Sequence, residues 1–110
     1  MKEVNKPWGN EKHFVFNKKC TIKILNVKPA QELSLQKHKL RTEEWYFLTN
    51  GYVQLGNNRF GVGKGETIKI PKNTPHRLFA KTKQVKVLEI SYGTFNQKDE
   101  IRLEDKYGRK

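Results

Sequence analysis

Short alternating runs of apolar and polar residues fill most of this 110-residue chain, and helical periodicity is almost absent. The runs end at glycine, asparagine or proline, which are the residues that most often form turns. Short strands separated by such turns are typical of a β-sandwich or a β-barrel. The sequence therefore predicts an all-β fold with strands in QELSLQKH, EEWYFLTN, GYVQLGNNRFGV, ETIKIP, HRLFAK and VKVLEISY.

The two ends of the chain add two further expectations. The run FVFNKKCTIKILNVKP predicts a hairpin whose turn lies near residues 17–19. The last residues, GTFNQKDEIRLEDKYGRK, are more polar and predict an arm that lies over the rest of the fold. A chain of this length has room for one hydrophobic core. We therefore expect a single domain over residues 1–110, with the β-barrel at about 20–92 and the C-terminal arm at about 93–110.

The charge of the chain limits its partners. The formal net charge is +12, which raises the hypothesis of nucleic-acid binding. The lysines are scattered singly between apolar residues, however, as solvent-facing strand positions would be. No recognition helix, zinc finger or ribonucleoprotein aromatic motif is recognisable. We expect no nucleic-acid partner, and the positive charge either keeps the surface solvated or attracts a small anionic substrate.

Cysteine usage and hydropathy bear on the cellular compartment. Cys20 is the single cysteine, so neither an intramolecular disulfide framework nor a cysteine-cluster zinc site is expected. The sequence has no apolar run long enough for a signal peptide or a membrane span. These features predict a soluble, cytoplasmic protein without a membrane partner.

Two stretches place polar side chains where an all-β core would favour apolar ones. In LSLQKHKLRTEEW, Gln36 and His38 share one face of a strand because strand side chains alternate. In GKGETIKIPKNTPHRL, His76 begins a strand that would meet the first stretch if the two strands are neighbours. Together with a glutamate, these nitrogen and oxygen donors suit a divalent transition metal better than a dry core. The sequence therefore predicts a metal site.

Both stretches resemble the two motifs of the cupin superfamily. The first cupin motif has paired ligands, a glutamate and a turn, and the second has a glycine, a proline, a turn glycine and a histidine. Asn73 stands at the place of the turn glycine, and asparagine tolerates left-handed backbone angles. The resemblance implies that the metal ligands are Gln36, His38, Glu43 and His76.

The acidic ligand has two possible registers. Counting forward from Gln36 favours Glu43, whereas counting back from Gly51 favours Glu44. We choose Glu43 because Arg41, Glu43 and Trp45 match the family together.

A narrower resemblance covers nearly the whole chain. The segments KPWG, LSLQKHKLRTEEW, IPKNTPHRL and DEIRLEDKYGR are similar, in this order, to the type II mannose-6-phosphate isomerase family. That family includes the isomerase domain of bifunctional mannose-1-phosphate guanylyltransferases; the resemblance does not extend to guanylyltransferase activity. It implies a jelly-roll-like cupin β-barrel, a homodimer and interconversion of mannose 6-phosphate and fructose 6-phosphate. The implied cofactor is a divalent metal, zinc first, with iron, manganese, nickel or cobalt as alternatives.

Catalysis of this reaction needs more than the metal. An isomerisation moves a proton between adjacent carbons, so a base must lie within hydrogen-bond reach of that proton. Glu44 is one candidate, although alternation turns it away from the face of Glu43, and we assign no catalytic residue. Arg41, Arg77 and Arg102 are candidates for binding the sugar phosphate, because guanidinium groups bind phosphate bidentately.

Departures from the family pattern keep two other functions open. The family usually carries histidines at places that here are Lys39, Leu40 and Glu44. If those histidines are needed for turnover, the chain is a noncatalytic cupin that binds a sugar or another metabolite. Another metal-dependent cupin enzyme, such as a dioxygenase, is the third possibility and would require iron and oxygen.

Overall fold

Eleven strands and one 3-10 helical turn make up the secondary structure of residues 1–94 and 96–109, which the computed structural model describes. Within this part of the chain, no helix is long and apolar enough to cross a lipid bilayer. The 3-10 turn covers Gln97–Asp99. The strands are β1 (Lys2–Lys6), β2 (Gly9–His13), β3 (Cys20–Val27), β4 (Leu35–His38), β5 (Arg41–Phe47), β6 (Gly51–Leu55), β7 (Asn58–Val62), β8 (Thr67–Ile70), β9 (His76–Phe79), β10 (Val85–Gly93) and β11 (Glu100–Glu104).

The strands form two main antiparallel sheets, which pack as a sandwich. One sheet has the order β3-β10-β5-β8, and the other has the order β11-β4-β9-β6-β7. Strands β1 and β2 form a separate hairpin. The all-β prediction is confirmed. The expected closure into a barrel is corrected, because no hydrogen-bonded ladder joins the edge strands of the two sheets within the described residues.

The predicted hairpin around residues 17–19 is wrong. Strand β3 pairs instead with β10, from Cys20 opposite Tyr92 to Val27 opposite Val85. The segment before β3 forms bends, and Asn17 adopts a positive φ of 55° there. The long ladder with β10 joins residues far apart in sequence, so local alternation and turn residues alone could not identify it.

The polar C-terminal segment forms an edge strand. Strand β11 pairs with β4, with Arg102 opposite Gln36 and Glu100 opposite His38. The Asp99 carboxylate accepts hydrogen bonds from the backbone N–H groups of residues 39 and 40, at 3.1 and 2.9 Å. These bonds connect the start of β11 to the turn after β4. The tail therefore brings Arg102 alongside the strand that carries two predicted metal ligands.

The inner face of the sandwich is apolar at one end and polar at the other. Alternate residues of β5 are buried, in the order Arg41, Glu43, Trp45 and Phe47. Trp45 and Phe47 belong to a hydrophobic cluster that draws on both sheets and also includes Val27, Val53, Val62, Ile70, Leu78, Ala80, Val85 and Val87. Burial of this cluster supplies the main stabilisation of the fold. Arg41 and Glu43 continue the same row beyond the cluster, so a polar site adjoins the core.

Gly51 tests how tightly this core is packed. A Cβ atom at Gly51 would lie 2.7 Å from Phe47 Cε2 and 2.7 Å from Val85 Cγ1, and both side chains are buried. We expect Gly51→Ala to lower the free energy of unfolding by about 1–3 kcal/mol through overpacking, as measured by urea denaturation. The control is Gly61→Ala, whose Cβ would have no neighbour closer than 3.8 Å. Equal stability of the Gly51 variant and the wild type would contradict this view of the core.

Candidate metal centre

Three buried side chains meet on the polar part of the inner face. They are His38 at the end of β4, Glu43 in β5 and His76 at the start of β9, with 2%, 3% and 1% of their surfaces exposed. One potential ligand atom from each residue lies within 4.8 Å of the others. Because β4 and β9 belong to one sheet and β5 belongs to the other, this triad connects the two sheets.

The turn before β9 places His76 next to His38. Asn73 adopts a positive φ of 58°, as expected for a residue at the place of the motif's turn glycine. Its backbone N–H donates a hydrogen bond of 2.7 Å to the carbonyl of His38. His76 then lies directly opposite Gln36 in the β4–β9 pairing. The turn therefore connects the two cupin-like motifs at the site itself.

The contact between His76 and Glu43 fits a bound cation. Nδ1 of His76 donates to the carbonyl of Thr74 at 2.8 Å, which leaves Nε2 of the neutral ring as an acceptor. This Nε2 lies 3.3 Å from Oε1 of Glu43, and neither atom has a hydrogen-bond partner among the described residues. In the neutral ring these two buried acceptors repel, so the pair needs either a proton or a metal ion between its two atoms. Two imidazoles and a carboxylate are ligands that zinc and similar divalent metals accept.

Arg41 holds the other side of the triad. Its Nε donates to Oε2 of Glu43 at 3.1 Å, and its Nη2 donates to Nε2 of His38 at 3.1 Å. Ser91 Oγ also donates to Oε2 of Glu43, at 3.3 Å. One oxygen of Glu43 is thus fixed by donors while the other faces His76. The guanidinium also uses the lone pair that His38 Nε2 would offer to a metal, so Arg41 and a metal ion compete for this atom.

Burial and neighbouring charges set the protonation states of His38 and Glu43. Desolvation of the buried imidazole lowers the pKa of His38 from 6.5 to about 4. Burial alone would raise the pKa of the Glu43 carboxyl, but the adjacent His76, His38 and Arg41 together hold it below its usual value. At neutral pH, His38 is therefore neutral and Glu43 is ionised. These are the protonation states in which both side chains can bind a metal.

A cavity of about 180 Å³ lies beside the triad. Arg41 connects the cavity with the triad, because it lines the cavity and also contacts His38 and Glu43. Gln36 lines the cavity as well, and its Oε1 accepts a hydrogen bond of 2.7 Å from Ser34. The charged side chains of the lining are Lys23, Arg41, Arg102, Arg109, Glu89 and Glu100. Four cations against two carboxylates make the cavity suitable for a small anion.

The structure divides the predicted site residues into two groups. Gln36, Arg41 and Arg102 line the cavity, next to the triad. Arg77 lies elsewhere: it follows His76 in β9, so alternation turns it to the opposite face, where it ion-pairs with Glu32 and Glu104 at 3.6 and 3.4 Å.

The two glutamates that competed for the acidic ligand position lie on opposite faces of β5. Glu43 is buried on the inner face, in the triad. Glu44 is half-buried and lies 3.5 Å from the hydroxyl of Tyr92 and 4.0 Å from the N-terminal amine. The choice of Glu43 as the candidate ligand agrees with this geometry.

Sequence reasoning missed a second buried acid, Glu89. It lies in β10 opposite Trp45, whose Nε1 donates to Oε2 of Glu89 at 3.0 Å. Burial raises the pKa of the Glu89 carboxyl, and the negative charge of Glu43 raises it further. The signal was present in VKVLEISY, where Glu89 occupies the inward row of Val85 and Val87. Lys23 and Arg109 were also missed as cavity residues, because they come from an edge strand and from the tail.

The low pKa of His38 predicts an acid-sensitive fold. Below pH 6.5 the unfolded chain binds a proton at His38, whereas the folded protein does so only near pH 4, so stability falls as the pH falls across this window. For metal-free protein we expect a loss on the order of 2–3 kcal/mol between pH 7 and pH 4 from this group, measured by urea denaturation.

Two variants assign this loss to one imidazole. His38→Gln should lose less stability over the same pH range than the wild type does. His13→Gln should behave like the wild type, because His13 lies in β2 outside the triad. An unchanged pH dependence in His38→Gln would contradict the assignment.

Comparison with known proteins identifies the family of this chain. The family model described as Mannose-6-phosphate isomerase C-terminal matches residues 1–105. The mannose-1-phosphate guanylyltransferase ManC of Salmonella typhimurium is 32% identical over 98% of this chain and 23% of its own length. The alginate biosynthesis protein AlgA of Pseudomonas aeruginosa is 33% identical over 97% of this chain and 23% of its own length.

A solved structure supports the fold. The capsular polysaccharide assembling protein CapF from Staphylococcus aureus superposes with a TM-score of 0.70 at 16% identity, over 80% of this chain and 29% of CapF. This likeness concerns the fold alone, which is of the cupin type. The chain spans about a quarter of the length of the two sequence relatives. Since the family model covers nearly all of the sequence, the chain belongs to the Mannose-6-phosphate isomerase C-terminal family and has its cupin fold.

Proposed function

We propose that this chain is a metal-dependent cupin that isomerises a phosphorylated sugar, with mannose 6-phosphate and fructose 6-phosphate as its substrate pair. The observation that carries the proposal is the buried triad of His38, Glu43 and His76 next to a cationic cavity. The triad suits a divalent metal, and the cavity suits the phosphate of a small substrate. Family membership supports the choice of sugar phosphate.

The metal is proposed to bind His38, Glu43 and His76, with Gln36 as the fourth ligand. Gln36 lies directly opposite His76 on the same face, although its Oε1 accepts the Ser34 hydrogen bond before metal binding. Zinc is the first candidate, with iron, manganese, nickel and cobalt as alternatives. When bound, a divalent metal polarises the sugar's carbonyl and hydroxyl oxygens and stabilises negative charge on them.

The sugar phosphate is proposed to bind Arg41 and Arg102. Both line the cavity, and Arg102 is held by an ion pair of 2.8 Å with Glu100. Arg77 has a different role in this proposal. Its ion pair with Glu104 fixes the end of β11, the strand that carries Arg102. Arg77 therefore acts as a positioning residue, because it lies on the far face of β9.

The noncatalytic alternative rested on the missing family histidines. The structure places those positions away from the triad: Lys39 and Leu40 are exposed in the turn after β4, and Glu44 lies on the outer face of β5. None of the three is a member of the triad. Their loss leaves the proposed metal centre intact, which favours retained catalysis over simple binding.

Two further proposals concern the setting of the protein. A phosphorylated sugar as substrate supports a cytoplasmic location. The cupin resemblance supports a homodimer formed through an outer sheet face, and the exposed Ile22 and Ile24 of β3 offer apolar surface for such a contact.

The isomerase proposal predicts metal-dependent turnover. Metal-depleted protein is supplied in turn with zinc, cobalt, manganese, nickel and ferrous iron, and fructose 6-phosphate formation from mannose 6-phosphate is measured. We expect at least one metal to restore turnover and His38→Ala to abolish it, since a triad ligand is lost. The control His13→Ala should retain the wild-type rate. If folded, metal-loaded wild-type protein shows no turnover, the isomerase proposal is refuted and a noncatalytic binding cupin remains. Oxygen consumption by the iron-loaded protein would instead favour a dioxygenase.

A further inference from the structure

Glu89 is a buried acid in the cavity wall that the proposed metal centre does not use. Only 6% of its surface is exposed, and its carboxylate accepts the hydrogen bond from Trp45 Nε1. It lines the cavity together with Arg41 and Arg102, the two proposed phosphate ligands. A carboxylate in this position is therefore close both to the proposed metal centre and to the proposed phosphate site.

The hydrogen bond from Trp45 does not by itself need a charged acceptor at this position. Along the inward row of β10, Val85 and Val87 are almost fully buried in the hydrophobic cluster, and Glu89 follows at the border of that cluster. Burying a carboxylate costs free energy unless it is compensated. An uncharged acceptor such as glutamine would satisfy the Trp45 N–H equally well. Lys23, which lies directly opposite Glu89 in β3, offsets part of this cost, and the carboxylate remains in the wall of the cavity.

Pairing in the first sheet places Glu89 next to Glu43. Glu89 lies opposite Trp45 and Ser91 lies opposite Glu43, so the two glutamates are diagonal neighbours on one face of adjacent strands. Diagonal neighbours in antiparallel sheets are about 7–8 Å apart, so the two carboxyl groups lie on the same part of the inner face. The charged groups that face Glu89 are Lys23 from β3, Arg41 and Glu43 from β5, Glu100 and Arg102 from β11, and Arg109 from the tail.

We propose that Glu89 transfers the proton between the two adjacent carbons of the sugar, an inference that rests on the isomerase function proposed above. The Glu89 carboxylate removes the proton from C2 of the aldose. The C2–H electron pair forms the C1–C2 double bond, and the C1 carbonyl oxygen becomes negatively charged and takes up a proton. Glu89 then returns its proton to C1 while the C2 hydroxyl loses its own and becomes the ketose carbonyl. One hydrogen moves from C2 to C1 and one from O2 to O1, so no oxidant or reductant is needed.

The test is Glu89→Gln, which keeps the size of the side chain and an acceptor for Trp45 but removes the proton-transfer group. We expect kcat for mannose 6-phosphate to fall by about 10²–10⁴-fold, with KM changed less than about threefold because no binding group is lost. Exchange of the C2 hydrogen of mannose 6-phosphate with deuterated solvent should be lost in parallel.

Three readouts separate a chemical role from a structural one. Glu89→Gln should match the wild type in bound metal per chain, in its thermal unfolding midpoint and in its calorimetric affinity for mannitol 1-phosphate. This sugar-alcohol phosphate has no carbonyl to isomerise. The matched control is Glu44→Gln, which removes a carboxylate from the outer face of the neighbouring strand. This control should retain the wild-type kcat.

Each outcome separates the two proposals. An active wild type with an equally active Glu89→Gln variant would overturn the role of Glu89 and leave the isomerase standing. A wild type that neither isomerises nor exchanges would overturn both. If the wild type exchanges the C2 hydrogen with solvent without net isomerisation, and Glu89→Gln loses this exchange, the proton-transfer role of Glu89 is supported and the isomerase proposal is refuted. If Glu89→Gln does not fold, Glu89→Asp decides: a lower kcat at unchanged KM supports the proposal, and a wild-type kcat overturns it.

Discussion

The contact between His76 Nε2 and Glu43 Oε1 is the interaction on which the polar half of this sandwich depends. The two atoms lie 3.3 Å apart across the space between the sheets, at positions with almost no solvent exposure. Unless a proton or a metal ion lies between them, this arrangement costs free energy in a fold that could have placed apolar residues there. His38 and Arg41 complete the group. A divalent metal would convert this cost into a link between the two sheets.

The inner face therefore combines two different kinds of stability. At one end, Trp45 and Phe47 belong to a hydrophobic cluster that holds its shape without any ligand. At the other end, Arg41 donates to atoms that a metal would also need, so the metal-free site is held by hydrogen bonds. Metal binding at His38 Nε2 would replace the Arg41–His38 hydrogen bond, while the bond from Arg41 to Glu43 could remain. Arg41 thus connects the candidate metal site with the cavity that it lines.

Local sequence signals predicted the parts of the site that depend on alternation and turns. Residue counting left Glu43 and Glu44 open, and the joint family match of Arg41, Glu43 and Trp45 selected Glu43, which the structure has on the inner face. The turn at Asn73 aligned His76 with β4. Pairing between distant segments was beyond these signals, which is why the β3–β10 ladder was missed. Arg77 was chosen for its chemistry, and its position next to an inward histidine already implied the outer face. The polar tail was expected to form an arm, because no local sequence pattern indicates that it pairs with β4.

The most direct test of the buried metal centre is the number of zinc ions bound per chain after equilibrium dialysis. The account predicts one tightly bound ion for the wild type and for His13→Ala, and none for His76→Ala, whose β-sandwich should remain folded by circular dichroism. Removing one of the proposed ligands from a buried site costs most of its affinity. A folded His76→Ala variant that still binds one zinc with wild-type affinity would contradict the triad of His38, Glu43 and His76 as the metal centre.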